Sequence, residues 1–228
     1  MTMYGLPEAT ELRKRLPKAQ LYRKYNWDNA RREHFDADIS RLDIVNAILP
    51  RTMPGIAAGE NVKSIYVVEV SLKRADCDPR NIELLARAIP QHIVYALRHG
   101  EEVRFAVCHE RLFMTDWQPL IPNSTFLTPN SELIPNSTFL TPNSELIPNS
   151  TFLTPKGLSL DAVWQNYVTS IGGFEVEENN TLTEQIHVNA ERDAIRRQIA
   201  ALRQLMRNER QPRRRRELYN HIRTLEKL

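Results

Sequence analysis

The chain has 228 residues, of which 41% are hydrophobic and 26% charged, with a formal net charge of +3. These are the proportions of an ordinary globular protein, and no apolar run approaches the roughly 20 residues that a membrane-crossing helix needs, so a membrane role is not expected. The charge is uneven: residues 180–228 carry 12 Lys/Arg against 6 Asp/Glu, residues 1–34 carry 8 against 4, and the middle carries 11 against 18. Basic ends on an acidic body point to an anionic partner or to contact between differently charged surfaces of a complex.

The opening MTMYGLPEATELRKRLPK has no apolar stretch after its first charges. It does not read as a secretory signal, and a cytoplasmic location is expected. Cys77 and Cys108 stand apart, with no second cysteine or histidine at ligand spacing, so free thiols are expected and no metal or other cofactor.

Pro7 to Leu16 and Trp27 to Ile39 read as two short helices, the second with Asn26 available as its cap. Leu42 to Ile48 alternates as a strand does, and a turn-rich loop follows. VKSIYVVEVSLKR, Val62 to Arg74, is rich in β-branched and aromatic residues and reads as the central strand. Asp78-Pro79 starts a helix that ends at Pro90, because a carboxylate caps free N–H groups and proline fits the first helical position. HIVYALR, EVRFAVCHE and RLFMTDW then follow with minimal connections as a meander.

Leu120 to Pro155 is a tandem repeat of LIPNSTFLTPNSE, in two whole copies and a partial third. Stacked repeats need three or more units, and its prolines fit only strand edges or corners, so the repeat reads as a loop expanded by duplication. Removing Leu133 to Pro155 is expected to leave the fold intact. After it, Ser159 or Asp161 caps a helix that Gly172-Gly173 stops. A long helix is expected from Thr183 to about Arg207, with Val188, Ile195, Ile199, Leu202 and Met206 at coiled-coil spacing; a second starts at Pro212 and carries Leu218, Ile222 and Leu225.

The expected fold is therefore α+β, a mostly antiparallel sheet with flanking helices, plus a C-terminal helical hairpin or coiled-coil tail. Its divisions are a core of residues 1–119 and 156–174, the insertion 120–155 and a basic helical element 183–228 through which copies of the chain can also associate.

Catalytic signatures are scarce. Seven glycines form neither GxGxxG nor GxxxxGK[ST], which disfavours nucleotide-binding folds of those types. His34, His92, His99 and His109 lack ligand spacing and read as surface or capping residues. Asp36, Asp38, Glu69 and Lys73 combine clustered carboxylates with a lysine, as a metal-dependent nuclease of restriction-endonuclease-like type does. The spacing departs from Glu-x-Lys, since Ser71 holds the lysine's place, and a solvated strand face explains the same residues. Arg203, Arg207, Arg213, Arg214, Arg215 and Arg216 form a cationic surface suited to phosphates or an acidic protein, with no local aromatic platform for bases.

FDADISRLDIVNAILP, KSIYVVEVSLKR, NIELLARAIPQHIVYAL and GLSLDAVWQNYVTSIGG, with the N-terminal MTMYGLPEATELRKRLPK and a basic helical tail, together resemble an uncharacterised bacterial family known as a domain of unknown function. The resemblance spans nearly all of the chain except 120–155, which that family's usual pattern lacks. It implies a neighbourhood of DNA methyltransferases and helicases of restriction or defence type, and hence an accessory, non-catalytic subunit with such a protein as partner. It carries over no catalytic residue.

Overall fold

The computed structural model describes residues 2–120 and 153–226. The chain divides into two compact units, Met1–Glu175 and Val176–Leu228. The repeat expected to form a loop lies, from residue 121 to 152, outside the described residues.

The first unit is built on a seven-stranded sheet. Its strands are β1 (Glu11–Arg15), β2 (Ile39–Ile48), β3 (Ile65–Leu72), β4 (His92–His99), β5 (Glu102–His109), β6 (Arg111–Met114) and β7 (Gln118–Pro119). They lie in the order β1-β2-β3-β4-β5-β6, with β7 also paired to β5. Every pairing is antiparallel except β3 with β4. A parallel pair cannot be closed by a hairpin, and the connection is helix α3 (Pro79–Ala88).

Period two sorts the strand residues onto two faces. Val68, Val70 and Leu72 of β3, with Ile93, Tyr95 and Leu97 of β4, form a core with Ile82 and Leu85 of α3, Phe35 of α2 (Asn29–Asp38) and Leu21 of α1 (Lys18–Lys24). On the opposite face α4 (Leu160–Gly172) packs against β5 and β6. Its buried residues Val163, Trp164, Tyr167 and Val168 follow helical spacing, and each contributes roughly 1.5–3 kcal/mol when fully removed from water. The Ser159 side chain caps α4, and Gly173 ends it in the left-handed region at φ 66°.

Loop 59–62 is clamped to the start of α4. The Asp161 carboxylate accepts from the backbone N–H groups of Glu60 (2.6 Å) and Val62 (2.7 Å), with Asn61 at 3.2 Å. A Cβ on Gly59 would lie 2.5 Å from that carboxylate, so glycine is the residue that lets the loop approach.

Three elements differ from expectation. Pro7 to Leu16 is not a helix: a 3-10 turn at Glu8–Thr10 leads into β1, exposed along its length and bulged between Glu11 and Lys14. The segment has no apolar stripe to bury as a helix, whereas the edge of β2 offers its backbone a ladder. Helix α1 lies between the two expected helices, in a segment given no element from the sequence, because Leu21 reaches the core with Tyr22 and Trp27 beside it. Asp28 rather than Asn26 caps α2. Asn26 sits instead in a turn at φ 47°.

The last residues of the repeat, from Leu153, lie within the described residues and pack against the first unit. Leu153 is buried, and its N–H donates to the Tyr4 carbonyl at 2.9 Å. A deletion running through Pro155 therefore removes a packed residue.

The second unit is a helical hairpin of α5 (Leu182–Asn208) and α6 (Pro212–Leu225). Thr181 and Glu184 form a reciprocal capping box at the start of α5. Gln185 is buried; its side-chain oxygen accepts from the Glu177 N–H (3.1 Å) and the Asn180 side chain (2.8 Å). Val188, Ile195, Ile199, Leu202 and Met206 are half-buried, as are Leu218 and Leu225, while Ile222 is buried. Contact between α5 and α6 satisfies this seam within the chain. Among the described residues no helix is long and apolar enough to cross a membrane.

Candidate functional site

The four residues of the nuclease pattern are not brought to one point. Asp38 ends α2 and its side chain is fully buried. One oxygen receives Arg74 Nε at 2.6 Å; the other receives the Asp78 N–H at 2.9 Å and Asn81 Nδ2 at 2.8 Å. Burial alone would raise this carboxyl, but the Asp78 N–H, Arg74 and Asn81 hold it below the usual carboxylate range. His34 extends the junction, with Nδ1 3.1 Å from Asn81 Oδ1 and Nε2 3.4 Å from Asp78. Asp38 thus joins α2 to the start of α3.

Asp36 turns elsewhere. It is paired with Lys18 and accepts from the Tyr22 hydroxyl at 2.6 Å, so that it too is held below the ordinary range against the effect of burial. Lys73 donates to the Asp36 carbonyl, not to a carboxylate. Glu69 accepts from the Tyr4 hydroxyl at 2.5 Å and lies 3.8 Å from Arg98.

Asp38 lies level with Lys73, whose N–H bonds its carbonyl. Glu69 is four residues further along β3, roughly 13 Å at about 3.3 Å per residue. Paired catalytic metals sit only about 3.5–4 Å apart. The carboxylate that does face Glu69 across the ladder is Asp43, paired with Arg41 at 2.5 Å. Among the described residues no group of three or more His, Cys, Asp or Glu is arranged to hold a metal ion.

The histidines near the other end of the sheet flank Trp164. His92 and His109 have ring centroids 4.9 and 6.3 Å from the indole, and burial lowers both pKa values, which favours neutral imidazoles. Burial, reinforced by the Asp38 anion, pushes the Cys77 thiol up to about 12, so it does not supply a thiolate near neutrality.

The hairpin is different in kind. Residues 203–216 hold seven arginines against one acidic residue, Glu209. They occupy the end of α5, the connection and the first turn of α6. Arg203 pairs with Glu226 at 2.7 Å, an ion pair that ties α5 to α6. Arg213, 93% exposed, lies 3.6 Å from Glu217. Arg207, Arg210, Arg214, Arg215 and Arg216 have no ion pair among the described residues.

The position of this charge is unfavourable for the helix that bears it. Gln211 gives α6 no side-chain cap, and the first turn of α6 contains no acidic residue. Four successive guanidinium groups therefore sit at the positive end of the helix dipole. An anion placed there gains from the free N–H groups and the arginines together.

One exposed aromatic belongs to this region, against the expectation of a cationic surface without one. Tyr219 is 54% exposed and lies one turn beyond Arg215 and Arg216 and one turn before Arg223. Helical spacing carries the signal, since arginines at minus four, minus three and plus four share a helical face with the residue between them.

No curated protein and no solved structure matches the chain. A family model does, from residue 4 to residue 228. The chain thus belongs to the family described as Domain of unknown function (DUF4391).

Proposed function

We propose that the chain is a non-catalytic accessory component of a bacterial DNA-modification or defence assembly, which contacts nucleic-acid phosphates through the tip of its α5–α6 hairpin. The observation that carries this reading is the density of arginine between residues 203 and 216, much of it without an ion pair among the described residues. Guanidinium groups packed at a helix N-terminus repel one another and oppose the dipole. Phosphates relieve both effects and release counterions on binding.

Contacts of this kind position a protein on nucleic acid without reading its sequence. The assembly role draws on what the sequence resemblance implies, a neighbourhood of methyltransferases and helicases. The body of the protein would then hold the enzyme partner while the hairpin holds the nucleic acid.

Replacing Arg213 to Arg216 together by glutamine tests the site. Nucleic-acid binding should weaken, and on duplex DNA the dependence of log affinity on log salt should flatten by about 0.9 for each phosphate that the protein no longer neutralises. Wild-type protein without salt-sensitive binding to any nucleic acid would overturn the reading and leave the cationic face to an acidic protein. Gentle purification of the tagged chain from its native host tests the assembly role: a methyltransferase or helicase should accompany it.

A further inference from the structure

We propose that the nucleic acid bound by the hairpin is single-stranded, with Tyr219 as the stacking platform for an unpaired base. This rests on the phosphate-binding reading above and narrows it. The arginines are distributed unevenly around the two helices, and their placement singles out one face.

At roughly 100° per residue, Leu218, Ile222 and Leu225 form the side of α6 that meets α5. Arg215, Tyr219, Arg223 and Glu226 fall in the strip along one border of that seam, with Arg216 just outside it. Glu226 fixes which side of α5 adjoins the strip, because its carboxylate meets Arg203 at 2.7 Å. Arg196 and Arg207, at minus seven and plus four from Arg203, share that side of α5. The opposite border is mixed: Leu205, Arg214, Glu217 and His221 line a shallow depression there. One face of the hairpin therefore collects Arg203, Arg207, Arg215, Arg216 and Arg223 toward a single aromatic side chain, with Arg196, 3.6 Å from Asp193, further along α5.

Tyr219 is 54% exposed and has no polar or ring partner on that face among the described residues. The seam is closed by Leu218, Ile222 and Leu225 without it. An apolar ring left in water amid guanidinium groups does little for folding, but it supplies what a phosphate-binding surface alone lacks. A flat π-face beside cations is the combination that grips a strand whose bases are unstacked. In a duplex the base faces are covered by their neighbours, so the same ring would find only groove edges and sugars. Arginine planes on either side extend the platform, since they also stack on bases.

Fluorescence anisotropy separates the possibilities, with a labelled oligothymidylate and a duplex of equal length as probes. The full chain would be compared with Y219L and Y219F across a range of salt. Y219L should lose about 10-fold in affinity for the single strand with an unchanged salt slope, because stacking releases no counterions. Y219F keeps the ring and should remain near wild type, and duplex affinity should be the same in all three. Unchanged single-strand binding by Y219L overturns the stacking assignment, as does an equal loss on duplex, and either outcome leaves phosphate binding standing. Wild-type protein that binds neither probe in a salt-dependent way overturns phosphate binding itself, and this inference with it.

Discussion

The Asp38 junction and the tip of the α5–α6 hairpin use charge in opposite ways. At the junction one carboxylate, with its side chain fully buried, is met by Arg74, the Asp78 N–H and Asn81. At the tip seven arginines share one acidic residue within 203–216 and lie at the surface. A buried charge is stable only when its lone pairs are filled, so the junction is complete as it stands. Exposed charges of one sign carry no such requirement, and their mutual repulsion makes the tip an acceptor for something negative. Charge at the junction fixes helices to one another; at the tip Arg203 ties α5 to α6, while Arg207, Arg210, Arg214, Arg215 and Arg216 have no ion pair among the described residues.

Three variants break or sharpen this contrast. The largest effect is expected at Asp38. Asp38→Asn removes the anion and leaves Arg74 with only the exposed Asp76, 3.8 Å away, at a cost of about 2–4 kcal/mol. The lower part of that range reflects the access of Arg74, 54% exposed, to water. Urea unfolding measures it.

The same variant has a signature in pH. The folded pKa of Asp38 lies below the unfolded value of about 4. Its contribution is therefore complete above that value and is lost as pH falls through the folded pKa. Wild type should lose stability more steeply than Asp38→Asn across the acidic range, and the two curves should converge at the acid end. Parallel curves would mean that folding does not lower the pKa of Asp38.

A smaller loss is expected at Asp161, where the partners are backbone N–H groups of an exposed loop. Asp161→Ala should cost about 1–2 kcal/mol. Hydrogen exchange should accelerate at Glu60 and Val62 while the β3–β4 ladder stays protected. Uniform acceleration through the sheet would show that the clamp supports the whole unit and not one loop.

The smallest effect on stability is expected at the tip. Replacing Arg213 to Arg216 by glutamine should change unfolding free energy by less than about 0.5 kcal/mol, with a slight gain because the charges oppose the dipole of α6. Thermal denaturation by circular dichroism reads it. A loss as large as that at Asp38 would make the arginines structural and remove the contrast.

Much of the framework is legible in local signals. Ile65 to Val70 is β-branched or aromatic at every position but Glu69, Asp78-Pro79 caps and starts a helix, and Ser159 with Gly173 brackets α4. The 4,3 spacing of Ile195, Ile199, Leu202 and Met206 announces the hairpin before any contact is known. Each of these depends on neighbours in the chain. ELRKR of β1 has no such pattern, and it becomes a strand only because β2 presents an edge beside it.

Sequence by itself determined the class of fold, the two faces of the central strand and the basic character of the tail, since period, capping and composition are carried by adjacent residues. Only the tertiary structure decided which charges are satisfied. Asp36, Asp38 and Glu69 look like one acidic group until Lys18, Arg74 and Arg98, far away in the chain, take them one by one. The pairing of Asp43 with Glu69 arises from ladder register, which no local spacing encodes. Arg203 and Tyr219 likewise share a face because α6 folds back along α5 and sets Glu226 against Arg203. A carboxylate or an arginine is written in the sequence, but whether it is filled or free depends on the partner that folding brings to it.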